Sequence, residues 1–315
     1  MDEDPLPGTM PGRGSLRRGM VHETRGGVYA VVLEDGSRVE ASLRGRLKRE
    51  QRTGSRVVVG DRVGLESQGD RWTIESVEPR EAELVRRGRG GRAPKILAAN
   101  LDRIFVTVAF EAPRASTQLI DRLLVLVESS GMHPTLILNK ADLVDDPTTF
   151  IDLYESVGYE VIVASAHSGT GVDEIHRLAC DGLSAFIGPS GAGKSSILNA
   201  IDPDLDLRTA GLSKKTGTGR HTTVGSRLIR LNCGGLVADT PGFGDVGLWS
   251  VSPEEVAECF PEFTEPAGSC RFRSCTHRVE PGCGVREALR KGEIPQSRYE
   301  SYLALYEEAD SGSGY

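Results

Sequence analysis

GPSGAGKS (Gly188–Ser195) and NKAD (Asn139–Asp142) are the stretches on which the fold turns. The first is a phosphate-binding loop. Its glycines let backbone N–H groups converge on an anion, and the helix opening behind it adds positive potential. The second reads guanine: a carboxylate at Asp142 accepts both the ring N–H and the exocyclic amine, a donor pair that adenine does not offer. In most GTPases the phosphate loop comes first in the chain. Here the base reader precedes it, and DTPG (Asp239–Gly242) follows it. A circularly permuted GTPase domain accounts for that order.

Each motif assigns roles to its residues. Lys194 is placed to reach the β- and γ-phosphates and Ser195 to ligate Mg²⁺. Gly188, Pro189, Ser190, Gly191, Ala192, Gly193 and Ser196 line the rest of the phosphate loop. Asn139 supports the keto side of the base and Lys140 lies along its plane. Ser165-Ala166, ending the next strand, fits the auxiliary loop that contacts the keto oxygen through backbone. Asp239 is expected to hold Mg²⁺ through water, with the Gly242 N–H at the γ-phosphate. Between these phosphate motifs lies GTGRHTT (Gly217–Thr223), a loop suited to switching. Thr222 and Thr223 are both candidates to complete the Mg²⁺ shell, with Thr223 preferred. Many GTPases place Gln after DxxG to orient the attacking water. This chain has Phe243 there, which cannot hydrogen-bond water, so His221 joins Lys194 as a catalytic candidate through its imidazole.

Around the motifs the text alternates. Apolar strands are predicted at 104–108, 135–138, 161–164 and 183–187, with helices over 117–130, 148–157 and 172–180. The 117–130 helix is capped by Ser116 or Thr117. A hairpin over 227–238 turns at Gly234-Gly235. This is an α/β sheet whose loops at the strand ends form the site. Upstream the pattern is short and β-rich. Strands are expected at 28–33, 38–41, 56–59, 62–65 and 71–74, which fit a small barrel of the OB type or an SH3-like one. The expected units are a Gly/Pro-rich disordered leader (1–17), the barrel (18–85), a basic linker (86–98), the GTPase domain (99–250) and a helical C-terminal domain (251–315).

The chain of 315 residues carries a net charge of −7, yet residues 13–95 hold 19 Lys/Arg against 12 Asp/Glu. A basic module on an acidic remainder points to a polyanionic partner at that end. The run RRGRGGR (86–92) can track phosphates. No apolar run approaches the ~20 residues needed to span a bilayer, and the first residues lack a signal-like core. A cytoplasmic monomer is the expectation.

All six cysteines follow residue 179. Cys270, Cys275, His277 and Cys283 offer three thiolates and an imidazole, a set sufficient for a closed, structural zinc site. Cys180, Cys233 and Cys259 read as core residues. Helices are expected near 284–291 and 296–309, the latter with Tyr299, Tyr302 and Tyr306 as packing residues.

The order barrel, NKAD, SA, GPSGAGKS, GRHTT, DTPGF, C-x4-C-x-H-x5-C resembles the RsgA (YjeQ) family over roughly residues 19–309. These are bacterial circularly permuted GTPases of small ribosomal subunit assembly. The resemblance implies an OB-fold on ribosomal RNA and GTP hydrolysis stimulated by the small subunit in its late maturation. It also implies a catalytic histidine at His221 and zinc ligands at Cys270, Cys275, His277 and Cys283. Val224 stands where a third threonine often follows GRHTT. Two other readings keep the same motifs: a GTP-gated RNA-binding checkpoint with incidental hydrolysis, and the same machinery acting on another RNA.

Overall fold

The computed structural model describes residues 16–53, 56–86, 95–207, 226–239 and 251–312. At its N-terminal end β1 (Arg17–Arg25), β2 (Val28–Leu33) and β3 (Arg38–Leu43) form an antiparallel meander. Then α1 (Gly45–Thr53) leads to the hairpin of β4 (Arg62–Gln68) and β5 (Arg71–Val77). β5 pairs in parallel with β3, and β4 pairs with β1, so the five strands close on themselves. That closure, with a helix before the last hairpin, is an OB-fold barrel rather than an SH3-like one. Its interior is filled by Val21, Val31, Leu33, Leu43, Val63, Leu65 and Ile74, which burial in the barrel withdraws from water.

Two expectations change here. Residues 56–58 are not a strand, and Val59 makes only an isolated bridge to Ala98. The reason is a buried ion pair. Asp61, fully buried, accepts from the Val58 N–H at 2.8 Å and from Arg80 Nε at 2.7 Å, while Arg80 Nη2 donates to the Arg56 carbonyl at 2.7 Å. Side chains thus satisfy backbone groups that a ladder would otherwise take. The fifth strand is instead β1, which reaches into the segment assigned to the leader. The segment 86–98 is also more than a linker. β6 (Glu83–Arg86) and β7 (Lys95–Ala99) pair antiparallel across it.

The central sheet contains β8 (Arg103–Ala109), β9 (Pro134–Asn139), β10 (Glu160–Val163), β11 (Leu183–Ile187), β12 (Arg227–Arg230) and β13 (Leu236–Asp239). Its order is β10-β9-β8-β11-β13-β12, parallel throughout except for the antiparallel β12–β13 hairpin. Helices α2 (Thr117–Glu128), α3 (Thr148–Ser156), α4 (Val172–Ala179) and α5 (Lys194–Ile201) connect the strands. Both faces of the sheet are covered by apolar clusters, as a parallel sheet requires. Ser116 caps α2, its Oγ accepting from the Leu119 N–H at 3.2 Å. β12 meets β1 of the barrel at Glu23–Arg227, so the two sheets are continuous.

The C-terminal module holds α6 (Pro253–Glu258), α7 (Thr264–Ala267), α8 (Gly284–Lys291) and α9 (Gln296–Gly312). Ser252 and Glu255 form a capping box at the start of α6. Tyr299 and Tyr302 are buried in the module's core, with Tyr306 packed against it, as their spacing predicted. That core includes Val125 of α2, so the module sits on the outer face of a GTPase-domain helix. A buried cluster fastens the seam. Arg298 of α9, fully buried, donates to Asp121 Oδ1 of α2 at 2.6 Å and to Glu262 Oε1 at 2.7 Å. The guanidinium carbon also lies 4.5 Å from the Phe260 ring centroid.

Candidate guanine nucleotide site and Cys/His cluster

The site follows from strand direction. β8, β9, β10, β11 and β13 are parallel, so their C-terminal ends share one edge, where ligands of open α/β sheets bind. β9 ends at Asn139, β10 runs out toward Ser165, β11 runs into Gly188, and β13 ends at Asp239. Motifs scattered over the chain therefore arrive together.

Two direct bonds join them. Asn139, buried, donates Nδ2–H to the Ala192 carbonyl at 2.8 Å, tying the NKAD loop to the phosphate loop. Ser165 Oγ, itself accepting from the His167 and Ser168 N–H groups, donates to Asp142 Oδ1 at 2.5 Å. That hydroxyl holds the Asp142 carboxyl below its ordinary range, against the smaller opposing effect of burial. An exposed, ionised carboxylate with one oxygen fixed can accept a donor pair such as the guanine edge. Asn139 Oδ1 is buried and has no partner among the described residues, an acceptor open on this edge. Lys140 sits in the left-handed region at φ 63° and donates from Nζ to the Ala112 carbonyl.

The phosphate loop has its shape imposed by the base reader. Gly193 has φ 93°, and a Cβ there would lie 2.1 Å from Asn139 Nδ2. Only glycine permits both that conformation and that approach. Directly behind it α5 begins at Lys194, with Ser195 and Ser196 in its first turn. Lys194 Nζ donates to the Gly188 and Pro189 carbonyls at 2.7 and 2.9 Å, and burial lowers its pKa. Among the described residues these are its two acceptors, so one of the three ammonium N–H donors is left for a further one. Pro189 and Gly191 are half-buried and Ser190 is exposed at the mouth of the loop. Ala166 follows Ser165, half-buried. Asp239 is exposed at the end of β13 and pairs with Arg227 Nε at 3.2 Å. His221, Thr222, Thr223, Gly242 and Phe243 lie outside the described residues.

The Cys/His cluster also assembles. Cys270 Sγ and Cys283 Sγ lie 3.5 and 3.4 Å from His277 Nδ1 and 4.0 Å from each other. Cys275 completes a set whose ligand atoms are all within 4.8 Å. A tetrahedral zinc ion with bonds of about 2.3 Å to sulfur and 2.0 Å to nitrogen separates its ligands by roughly 3.5–3.8 Å. The donor set therefore fits zinc. Outer contacts orient it: the Gly284 and Arg286 N–H groups point at Cys270 Sγ and Cys283 Sγ at 3.3 and 3.5 Å. The Tyr299 hydroxyl donates to the His277 carbonyl at 2.7 Å. Cys259 is a core residue as expected, its thiol pushed up to about 12 by burial.

Cys180 and Cys233 are not core residues. They form a disulfide between the end of α4 and the β12–β13 turn, with Cys180 half-buried and Cys233 exposed. Their neighbours Asp181-Gly182 and Gly234-Gly235 are turn formers, the signal that both lie at element ends. The Arg298–Asp121–Glu262 cluster had no sequence signal, because its members are 177 and 36 residues apart along the chain.

NKAD and a phosphate loop brought together on the parallel edge of one sheet, with NKAD preceding GKS in the chain, define a circularly permuted P-loop GTPase. Comparison with known proteins narrows this. The family described as RsgA GTPase matches residues 77–249. The small ribosomal subunit biogenesis GTPase RsgA of Gemmatimonas aurantiaca is 44% identical over 297 residues, covering 92% of this chain and 96% of that protein. Its counterpart from Moorella thermoacetica is 41% identical over 285 residues, covering 90% and 94%. Among solved structures, YjeQ from Thermotoga maritima superposes with a TM-score of 0.76 at 33% identity, covering 93% of this chain and 98% of that one. YloQ, a circularly permuted GTPase, gives 0.74 at 29%, covering 96% and 98%. The chain belongs to the RsgA GTPase family and hydrolyses GTP.

Proposed function

We propose that this GTPase acts in biogenesis of the small ribosomal subunit, binding its rRNA and hydrolysing GTP late in maturation to time its own release. The observation that carries the nucleotide half is the pair of bonds Asn139–Ala192 and Ser165–Asp142, which unite three separated motifs on one sheet edge. The ribosomal half is supported by what the relatives are named for and by the excess of basic residues over 13–95.

In this reading Asn139, Lys140, Asp142, Ser165 and Ala166 select guanine. Gly188 to Ser196 and Gly242 hold the phosphates, with the free N–H of Lys194 on the β- and γ-oxygens. Ser195, Thr223 and, through water, Asp239 would hold Mg²⁺, which supplies charge neutralisation at the phosphates. His221 orients the attacking water in place of the absent glutamine. Zinc held by Cys270, Cys275, His277 and Cys283 would supply folding energy to the C-terminal module. The protein works in the cytoplasm as a monomer.

GTP turnover with and without purified small ribosomal subunits, with ATP as control, tests the reading. Stimulation specific to GTP and lost in His221→Ala, with binding retained, is expected. Tight GTP binding with no stimulation would leave a nucleotide-gated RNA-binding protein instead. Stimulation by the large subunit or by tRNA would move the activity to another RNA.

A further inference from the structure

We infer that Cys180 and Cys233 form a thiol–disulfide exchange site that takes small-molecule disulfides and ties the β12–β13 turn to α4. The two α-carbons are 5.7 Å apart, and His176 places a ring nitrogen within 4.8 Å of both sulfurs. Geometry suitable for a disulfide normally needs α-carbons 4.4–6.8 Å apart.

This proximity does not depend on the covalent bond. Gly235 packs so closely on the end of α4 that a Cβ there would lie 2.2 Å from the Ala179 carbonyl oxygen and 2.7 Å from the Cys180 α-carbon. Asn232, beside Cys233, is held from the other side by Asp202 at the end of α5, through two bonds of 2.8 Å. The turn therefore stays against α4 when the sulfurs are reduced, and the thiols remain within reach of each other. These cysteines are also chemically separate from the Cys/His cluster of the C-terminal module, which is the other such group among the described residues.

The order of events follows from exposure. Cys233 is exposed in the turn, whereas Cys180 is half-buried at the negative end of α4, where a thiolate is disfavoured. The Cys233 thiolate attacks a disulfide RSSR, forming Cys233–S–SR and releasing RS⁻. Cys180 thiolate then attacks the protein sulfur of that mixed disulfide, closing the Cys180–Cys233 bond and releasing a second RS⁻. Two electrons pass from the cysteines to RSSR, and the two thiol protons end on the released RSH molecules. The turn so pinned joins β12 to β13, the strand that ends at Asp239.

The test uses the zinc-loaded, pre-reduced full chain and oxidised glutathione, read by intact mass and peptide mapping. Wild type is expected to lose two thiols and yield a crosslink joining the Cys180 and Cys233 peptides. C180S is expected to stop at a glutathione adduct on Cys233, formed at least about tenfold faster than the adduct on Cys180 in C233S. The inference is overturned if wild type keeps both thiols in an equimolar mixture of reduced and oxidised glutathione. It is equally overturned if the two adducts form at the same rate, or if His176 and the two thiols take up a second zinc ion that blocks oxidation. The wild-type measurement stands whether or not either variant folds.

Discussion

Arg298→Ala should detach the C-terminal module from the GTPase domain while leaving each able to fold. Arg298 and Asp121 have no exposed side-chain surface and Glu262 has 5%. Removing the guanidinium strands two carboxylates in a site already closed to water, where breaking one partner of a buried pair costs about 3–5 kcal/mol. The stacking of the guanidinium on Phe260 adds to the loss. Hydrogen exchange of the α9 amides measures the local opening free energy directly. The expected drop of about 3–5 kcal/mol near pH 7 corresponds to exchange faster by roughly two to four powers of ten.

The pH dependence sharpens the test. Burial already pushes the Asp121 carboxyl above its ordinary range, against the opposing field of Arg298. Without Arg298 its native pKa rises further. An acid whose native pKa is raised favours the folded state at low pH and loses that contribution as pH rises through the native value. The deficit of the variant should therefore be largest at neutral pH and shrink toward pH 5. Arg298→Lys should recover little, since a single ammonium cannot serve both Asp121 and the two oxygens of Glu262. A drop below about 1 kcal/mol, or a deficit that grows on acidification, would refute the reasoning.

Three further outcomes can be checked. Gly193→Ala introduces a Cβ 2.1 Å from Asn139 Nδ2; losing the Asn139–Ala192 bond and straining the left-handed backbone should weaken binding of a fluorescent GDP analogue about 10–100-fold with the fold intact. Ser165→Ala removes the hydroxyl that lowers the Asp142 carboxyl. A depressed native pKa preserves the anion as pH falls, so the acid limb of GDP binding should move to higher pH in the variant, followed alongside circular dichroism. Chelation of metal, or Cys275→Ser, should make residues 268–284 protease-sensitive while GDP affinity changes less than about twofold, because the cluster faces the module's own core.

The assembly of the candidate guanine site from its described motifs was legible because each carries its glycines, lysine or carboxylate in a short run, and parallel strands bring the runs to one edge. The barrel was legible as a barrel but misassigned in one strand. RVVV at 56–59 has the composition of a strand, yet the Asp61–Arg80 pair claims its backbone. RRGMVHETR at 17–25, which is β1, alternates too weakly to be read without its neighbours. The disulfide and the Arg298 cluster depend on residues brought together only by the finished topology, which no window along the sequence samples.

β1 also explains how barrel and catalytic sheet become one body. Along one edge it pairs with β2 from Gly19–Leu33 to Arg25–Val28. Its other edge is divided. Residues 17–20 pair with β4 and close the barrel, whereas Glu23 pairs with Arg227 and the Thr24 N–H donates to the Ser226 carbonyl at 3.1 Å. A strand cannot face two partners on one edge unless it bends between them. The register slips between Val21 and Glu23, leaving His22 as the extra residue of a bulge, which supplies the bend. His22 lines a cavity of about 510 Å³ between the two sheets, and burial, reinforced by Arg38 and Arg230, lowers its pKa. β12 would otherwise be the open edge of the GTPase sheet, with unpaired backbone groups at Ser226 and Arg227. The barrel covers that edge at Ser226 and Arg227, so the basic module and the sheet that carries the candidate site are joined by backbone hydrogen bonds rather than by side chains alone.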